Sequence, residues 1–384
     1  MTIARSLLIQ NPKLKLILVE KEHQLGLHAS GRNSGVLHAG FYYSPESLKA
    51  RFCLEGNQLM RQFAEENRCK ILQTGKVIVT KSESELEQLH QLYQRGIVNG
   101  VDLDLLPAAK LEEKEPFAKT TKEFIWSPTT AICNPREILK ALELEIKSLG
   151  CEIILRQELK QIDGRVATIG NNEVHFRHLI NATGGGALKV AAHFGVGTEF
   201  TLLPFLGSYW ATNQKNIPIR SLIYPVPHPI NPFLGVHWTL TYDGYVKLGP
   251  TALPVLGPER YRAIDPINYK ESVDSLKGLA YVALGDSTSI LNIISSEFMN
   301  LSKTHIVNAA NKMVSKRVAT SLWKKKPSGI RAQLVENRSG TLVQDFVVKR
   351  AENSTHILNA VSPGWTSAFA FAQFIGREFV LGQI

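Results

Sequence analysis

Residues 11–20, with the sequence NPKLKLILVE, decide the class of fold that this chain adopts. The apolar run from Leu16 to Val19 predicts a buried strand that ends at Glu20, and Asn11-Pro12 ends a helix predicted for Thr2 to Ile9. A helix, a tight turn, a strand and a terminal acid are typical of the second half of a dinucleotide-binding βαβ unit, in which the acid binds ribose hydroxyls. On these residues alone, Glu20 is either that ribose ligand or the end of an ordinary surface strand.

The glycine-rich stretch that follows, residues 28–40, favours the ligand interpretation. Its glycines and small polar residues allow backbone N–H groups to approach an anionic ligand, and Arg32 adds a forked positive charge. Ser44 followed by Pro45 predicts the start of the next helix.

The first strand and the GxGxxG turn of such a unit do not precede Thr2 in this sequence. We therefore expect a nucleotide-binding sheet without its central strand, either in a truncated chain or in a relative that has lost the turn. Gly184-Gly185-Gly186 is a rival for the turn, because a predicted strand precedes it and a predicted helix follows. Lys189 occupies the place of its third glycine and Glu199 comes too soon for a ribose ligand, so it is not a complete dinucleotide motif.

Composition excludes several classes of protein. The 384 residues are 44% hydrophobic and 20% charged, which excludes a disordered or fibrous chain. The four cysteines lack disulfide-framework and metal-ligand spacing, so we expect no metal site and a reducing compartment. The longest uncharged stretch, Ile357 to Gly376, is too polar for a membrane span. The net charge of +10 comes without a basic stripe interleaved with aromatic residues, which favours small anionic ligands over nucleic acid.

The remaining pattern predicts two interleaved domains. Ser82-x-x-Glu85 predicts a capping box, Val174 to Thr183 one strand, and Tyr269 to Trp323 a helical cover. An antiparallel second sheet is predicted from strands at 71–80, 202–212, 221–226 and 235–248, the last with a hairpin turn at Asp243-Gly244. We predict a nucleotide-binding domain of residues 1–70, 134–200 and 325–384, and a substrate domain of residues 71–133 and 201–324.

Collinear segments along essentially the whole chain resemble the L-2-hydroxyglutarate dehydrogenase/oxidase family of the FAD-dependent D-amino-acid-oxidase superfamily. The similar segments are residues 20–22, 30–40, 44–50, 69–80, 222–227, 232–239, 243–244, 249–252, 329–333 and 358–367. The resemblance implies a mixed α/β fold, in which an FAD-binding Rossmann-like domain without its first strand and GxGxxG turn is interleaved with an antiparallel-sheet substrate domain. Met1 to Ala4 align with the interior of the family's first helix, which favours truncation.

The resemblance also implies FAD as the cofactor and indicates which residues contact it. Gly184 ends a segment that passes close to the FAD pyrophosphate in the family. Pro363 to Ser367 begin a helix whose N-terminal N–H groups would stabilise the reduced flavin, although Gly364-Trp365 depart from the small pair usual there. The contacts implied are Glu20, Lys21, Ser30, Gly31, Arg32, Asn33, Ser34, Gly35, Gly184, Gly364, Thr366 and Ser367.

Oxidation of an L-2-hydroxy acid by hydride transfer to flavin N5 is the activity implied, with L-2-hydroxyglutarate giving 2-oxoglutarate. The reaction needs a base for the hydroxyl proton, and a histidine that titrates near neutral pH suits this role. His38 is the first candidate and His237 the second, with a packed structural histidine as the alternative for each. Arg331 is the candidate clamp for the substrate carboxylate, and Tyr224 is a candidate hydroxyl donor.

Two other functions stay open at this level. One is an amino-acid or amine oxidase of the same superfamily, and the other is a truncated, non-catalytic remnant unable to hold FAD. For the leading function we expect a small anionic 2-hydroxy acid as substrate, oxygen or a quinone as electron acceptor, and no nucleic acid. We expect a cytoplasmic protein, with peripheral contact at the inner membrane as an additional expectation.

Overall fold

The computed structural model describes residues 1–227, 234–285 and 297–382 of the chain. Helices alternate with strands along the chain, and the strands form one large sheet and several small ones. The predicted mixed α/β fold is therefore confirmed. Parts of the segment at 232–239 and of the helical cover predicted for residues 269–323 lie outside the described residues.

The helices begin and end where the sequence supplies caps and turn residues. Asn134 caps its helix by accepting a hydrogen bond from the Arg136 amide (3.1 Å), and Gly150 follows the helix with a positive φ, which is typical of a glycine at a helix end. No helix of the described residues has both the length and the apolar character needed to cross a membrane. The α-helices are α1 (Thr2–Gln10), α2 (Leu48–Glu66), α3 (Leu86–Val98), α4 (Leu111–Lys114), α5 (Pro135–Ser148), α6 (Ala187–Ala192), α7 (Tyr269–Leu284), α8 (Lys303–Asn311) and α9 (Ala368–Ile375).

Strands occupy both halves of the chain. In chain order they are β1 (Ile17–Val19), β2 (Val36–Leu37), β3 (Ile71–Leu72), β4 (Lys76–Val79), β5 (Asp104–Pro107), β6 (Glu123–Ser127), β7 (Ala131–Cys133), β8 (Glu152–Ile154), β9 (Leu159–Asp163), β10 (Val166–Ile169), β11 (Asn172–His175), β12 (Leu179–Asn181), β13 (Phe200–Asn213), β14 (Leu222–Pro225), β15 (His237–Leu240), β16 (Tyr245–Gly249), β17 (Leu253–Pro254), β18 (Lys324–Glu336), β19 (Val347–Ala351) and β20 (Ser354–Asn359).

The largest sheet of the described residues contains nine strands. Its spatial order is β17-β13-β16-β15-β14-β4-β6-β5, and β18 also pairs with β13. Neighbouring strands are antiparallel except for β4 and β14, which run parallel with Lys76 opposite Leu222 and Ile78 opposite Tyr224. Residues two apart on a strand share a face, so Lys76 and Tyr224 project from the same side of the sheet.

Five strands within the ranges predicted for the nucleotide-binding domain form two separate small sheets. β1 pairs in parallel with β8, and β12 pairs in parallel with β20, which also carries β19. No pairing among the described strands joins β1 to β12. This arrangement agrees with the prediction of a nucleotide-binding sheet without its central strand. Two further three-stranded sheets, β2-β7-β3 and β11-β10-β9, complete the described strands.

Two predicted element starts are wrong. α2 begins at Leu48 rather than after Ser44, because Ser47 accepts a hydrogen bond from the Ala50 amide (3.1 Å) and is the true cap. Ser82 makes no capping hydrogen bond to the helix that follows it, while the Glu85 carboxylate accepts from the Lys81 amide (2.7 Å). A short 3₁₀ turn therefore precedes α3 where a capping box was predicted.

Two predicted single strands are each two strands. The strand predicted for residues 71–80 breaks at Gly75, where φ is +64° and a Cβ would lie 2.0 Å from the Trp126 ring, so β3 and β4 enter different sheets. The strand predicted for Val174–Thr183 is likewise divided into β11 and β12, which belong to different sheets.

The core of the large sheet lies around β4, β14 and β15. Val77, Ile78, Ile223 and Trp238 have no exposed surface, and burial of each side chain stabilises the fold by roughly 1.5–3 kcal/mol. The core holds β4 and β14 rigidly, and these strands carry Lys76 and Tyr224.

A buried carboxylate fixes the chain just before β14. Glu115 is completely buried and accepts hydrogen bonds from the amides of Phe117 (3.1 Å), Arg220 (2.7 Å) and Ser221 (2.6 Å). The Ser221 hydroxyl also donates to it (3.1 Å). Because β14 starts at Leu222, this carboxylate determines where Tyr224 enters the site.

We expect Glu115→Leu to lower the free energy of unfolding by about 2–5 kcal/mol, because three buried amides lose their acceptor. Glu115→Gln keeps one acceptor oxygen and should lose less. Urea unfolding measures both. The neighbouring Glu113, which is exposed, serves as control, and Glu113→Leu should change stability by less than about 0.5 kcal/mol. Equal losses for the Glu115 and Glu113 variants would contradict this role.

Candidate functional site

A continuous cavity of about 2880 Å³ runs through the molecule. Its wall includes residues from β1, from the loop after it, from the turn at Gly184–Gly186 and from the large sheet. The volume exceeds the roughly 300–1,000 Å³ of a pocket for a single drug-sized ligand, so it has room for a dinucleotide and a small substrate together.

The loop after β1 is tied to a distant segment of the chain by a cluster of charged side chains. Lys21 Nζ lies 2.8 Å from a Glu22 carboxylate oxygen and 2.7 Å from one of Glu259. His28 bridges the same two segments, with Nε2 3.1 Å from Glu22 and Nδ1 2.8 Å from the Tyr261 hydroxyl. These contacts hold the loop, which forms part of the cavity wall, against the segment that contains Glu259 and Tyr261.

Arg32 is held by backbone carbonyls and an aromatic ring. Its guanidinium donates to the carbonyls of Leu27 (2.7 Å) and Ser328 (3.2 Å) and lies 4.0 Å from the centre of the Tyr261 ring. The Arg32 carbonyl packs against Gly329, where a Cβ would lie only 2.7 Å from that oxygen. This close approach explains why residue 329 is a glycine. It also packs the loop that contains Arg32 against β18, the strand that carries Arg331.

Most of the cofactor contacts predicted from sequence lie on the cavity wall. Three do not line it: Gly31, Gly35 and Ser367. Gly31 and Gly35 make tight backbone turns, and a Cβ on Gly35 would lie 2.5 Å from the Cys133 carbonyl oxygen. Ser367 is completely buried, and α9 begins just after it, at Ala368. The predicted residues on the wall are Glu20, Lys21, Ser30, Arg32, Asn33, Ser34, Gly184, Gly364 and Thr366.

The backbone of His38 is held from both sides. Its amide donates to the Thr366 hydroxyl (3.1 Å), and its carbonyl accepts from the Asn57 side chain (2.9 Å). The Thr366 hydroxyl in turn donates to the Val36 carbonyl (3.3 Å). The His38 side chain lies on the cavity wall, and its Nδ1 is buried without a hydrogen-bond partner among the described residues. Burial, then the charges of Lys76 and His237, lower the pKa of His38 to about 3.

His237 lies at the start of β15 with its tautomer fixed. Nδ1 is 2.8 Å from the Gly235 carbonyl oxygen, which can only accept, so Nδ1 carries the proton and Nε2 of the neutral ring is a proton acceptor. Its ring is tilted against that of Tyr224, with 3.9 Å between centroids. Burial lowers the pKa of His237 to about 4. Both histidines are therefore uncharged at neutral pH, and the expectation that His38 titrates near pH 7 does not hold in this environment.

Lys76 is a component of the site that sequence analysis missed. It is completely buried, and its Nζ has no hydrogen-bond partner among the described residues. The rings of Phe41, Tyr42 and Tyr224 surround it at 4.5, 4.7 and 4.9 Å from Nζ. Burial lowers the pKa of Lys76 to about 7. A lysine between Gly75 and the apolar run Val77–Val79 is the sequence signal that could have revealed it.

Arg331 and Lys49 bring positive charge to the same cavity. Both line its wall together with Tyr43, and Arg331 projects from β18 opposite Phe205 of β13. Burial lowers the pKa of Arg331 to about 10, and it stays protonated. The structure thus brings His38, His237, Tyr224 and Arg331, which were predicted separately from distant parts of the sequence, to one cavity.

Known proteins are similar to this chain over most of its length. The family described as FAD dependent oxidoreductase (DAO) matches residues 1–377. An L-2-hydroxyglutarate dehydrogenase from Salmonella houtenae is 33% identical, over 98% of this chain and 89% of its own. A mitochondrial L-2-hydroxyglutarate dehydrogenase from Caenorhabditis elegans is 32% identical, over 98% and 90%.

Solved structures share the fold at lower identity. L-α-glycerophosphate oxidase from Mycoplasma pneumoniae with FAD bound superposes with a TM-score of 0.75 at 21% identity, over 97% of this chain and 91% of its own. L-proline dehydrogenase from P. horikoshii gives a TM-score of 0.69 at 16% identity, over 100% and 91%.

We expect Lys76→Met to raise the pKa of His38 above about 3 and that of His237 above about 4, because a nearby positive charge is removed while both rings stay buried. Histidine-selective NMR titration measures this change. The variant should also be as stable as wild type or more stable, because an amine without a partner is costly to bury. Lys81→Met, at an exposed lysine just beyond β4, is the control and should leave both titrations unchanged. Unmoved histidine titrations in Lys76→Met would contradict the coupling.

Proposed function

Because the chain belongs to the FAD dependent oxidoreductase family, we propose that it oxidises an L-2-hydroxy acid, L-2-hydroxyglutarate, to 2-oxoglutarate. The observation that carries this proposal is that two buried, uncharged histidines, His38 and His237, line the same cavity as Arg331. Removal of a hydroxyl proton needs an unprotonated base, and an anionic acid needs a cation nearby.

The described residues fit FAD. The cavity is large enough, and two polar atoms of its wall, the buried His38 Nδ1 and the Tyr42 hydroxyl oxygen, have no hydrogen-bond partner among the described residues, as expected of groups that face a ligand. When bound, FAD supplies the acceptor for the hydride that leaves substrate C2. The residues that would hold it are Glu20, Lys21, Ser30, Arg32, Asn33, Ser34, Gly184, Gly364 and Thr366, with Gly31, Gly35 and Ser367 supporting them from behind.

The substrate hydroxyl proton passes to a histidine nitrogen. His237 Nε2 is a proton acceptor in its fixed tautomer, and the fixed backbone of His38 directs the second imidazole into the same cavity. A base with a depressed pKa is a weak proton acceptor in the free enzyme, but a bound anion close to the imidazole favours its protonated form and strengthens it. Arg331 holds the C1 carboxylate, and Tyr224 remains the candidate hydroxyl donor to the substrate oxygen.

Substrate class is tested by anaerobic bleaching of the flavin absorbance with two acids of the same carbon skeleton. L-2-Hydroxyglutarate should bleach the flavin and L-glutamate should not, with D-2-hydroxyglutarate as the stereochemical control. Bleaching by glutamate alone would identify an amino-acid oxidase. Purified protein without stoichiometric flavin and without turnover would identify a non-catalytic remnant.

The electron acceptor is proposed to be oxygen or a quinone. Re-oxidation of the bleached flavin, by air in one sample and by a soluble quinone under nitrogen in the other, distinguishes them. The faster acceptor at equal concentration is the physiological class. Equal failure of both would remove this part of the proposal.

We also propose a peripheral contact with an anionic membrane. Exposed apolar side chains occur on and before α7, and others occur at residues 298–301, on a chain with a net charge of +10. The more exposed of these residues are Ile264, Ile267, Tyr269, Leu284, Phe298, Met299 and Leu301.

Co-sedimentation with vesicles tests this contact. The protein should pellet with vesicles that contain phosphatidylglycerol and stay in solution with pure phosphatidylcholine, and added salt should weaken the binding. Ile267→Asp should reduce the bound fraction severalfold, whereas Ile97→Asp, at an exposed isoleucine on α3, should not. Identical binding to both vesicle types, or identical loss in both variants, would rule out the proposed contact.

A further inference from the structure

Lys49 is a buried cation on the cavity wall. It lies in the first turn of α2, is only 3% exposed, and lines the same cavity as Arg331 and Tyr43. Nothing in the proposed oxidation at C2 uses it. A buried ammonium without a counterion is costly, so its surroundings indicate what it binds.

No described carboxylate forms an ion pair with Lys49. The nearby acid, Asp345, is already engaged as a helix cap, because it accepts from the backbone amides of Leu48 (2.8 Å), Lys49 (3.1 Å) and Phe346 (2.8 Å). Among the residues that the structure describes, no Asp or Glu oxygen lies within 4 Å of Lys49 Nζ.

Aromatic contacts do not replace the missing anion. The Tyr43 and Phe346 ring centres lie 6.0 and 5.8 Å from Lys49 Nζ, at the outer limit of a cation–π contact. The contrast with Lys76 is informative, since three rings lie within 5 Å of its Nζ and it is not on the cavity wall. Lys49 therefore faces a ligand space with its charge only weakly compensated.

Lys49 and Arg331 are close enough to influence each other. Burial lowers the pKa of Lys49 to about 7, and the positive charge of Arg331 acts in the same direction while Asp345 opposes it. Tyr43 is near both cations, because its ring centre lies 6.0 Å from Lys49 Nζ and the charge of Arg331 acts to lower the pKa of its hydroxyl. Two cations that repel each other in one buried chamber are stabilised together by an anion with two charges.

We propose that Lys49 binds the second, distal carboxylate of a dicarboxylic substrate whose C1 carboxylate is held by Arg331, and that it thereby determines the preference for diacids over monoacids. This inference rests on the proposed function, because it assigns the two carboxylates of 2-hydroxyglutarate to two different cations. The Lys49 ammonium is a point charge on a flexible four-carbon stem, which suits it to bind a carboxylate at some distance from the forked Arg331 guanidinium.

The test compares two five-carbon substrates, L-2-hydroxyglutarate and L-2-hydroxyvalerate, which carries a methyl group in place of the distal carboxylate. Lys49→Met should lower kcat/KM for the diacid roughly 30–100-fold and change the monoacid by less than about 3-fold, because only the diacid loses a charge-assisted hydrogen bond. Arg331→Met should lower both. Lys49→Arg should restore most of the diacid preference, and Lys140→Met, at an exposed lysine on α5, should change neither.

Calorimetric binding of glutarate against valerate gives a second readout that needs no turnover. Wild type should bind glutarate more tightly, and Lys49→Met should bind the two acids equally, with an unfolding midpoint no lower than that of wild type. A diacid preference that survives in Lys49→Met, or an equal loss for both acids, would overturn the proposal. If wild type oxidises neither hydroxy acid, the proposed function fails, and the calorimetric preference still decides the role of Lys49.

Discussion

Desolvation of titratable side chains beside one cavity is the constraint on which the rest of this structure depends. Burial keeps His38 and His237 uncharged and makes the protonation of Lys49 and Lys76 sensitive to whatever enters the cavity. In water these groups would have ordinary pKa values and little mutual influence. The low-dielectric wall turns them into a coupled set, in which the charge of a ligand or of one lysine alters the others. Of the four, Lys76 alone has its amine caged by three aromatic rings.

Hydrogen bonds to the backbone, rather than to the side chains, hold the residues that line the cavity in place. Thr366 and Asn57 hold the backbone of His38, Glu115 fixes the entry to β14, and Asp345 caps the helix that carries Lys49. Each of these groups satisfies backbone N–H or C=O groups that would otherwise be buried without partners. On the cavity wall, His38 Nδ1 and the Tyr42 hydroxyl keep hydrogen-bonding capacity that no described residue uses, which is the property that a binding site needs.

Individual helices and turns were largely predictable from the sequence, but the residues at which some elements begin or break were not. α1, α5 and the hairpin at Gly244 follow from capping, proline and glycine signals that act within a few residues. The start of α2 was misplaced because Ser44 and Ser47 are both plausible caps, and only the Asp345 carboxylate, almost 300 residues away, favours Ser47. The strand predicted through Gly75 was wrong for a similar reason. Only glycine fits at this position because the Trp126 ring packs against it, and Trp126 belongs to β6, which is distant in the sequence. Lys49 lies in the similar segment 44–50, but its residue type did not single it out, because a lysine on an amphipathic helix usually faces solvent.

The sequence by itself determined the class of fold, the family resemblance, and His38, His237, Tyr224 and Arg331 as the candidates for chemistry, because these depend on local residue types and on collinear motifs. Only the tertiary structure decided that these residues share one cavity with Lys49, that Lys76 is buried beside Tyr224, and that both histidines are uncharged. The physical reason is that a pKa and a binding site depend on which groups are removed from water together. β-Strand pairing and loop packing bring those groups together from positions that are distant in the chain.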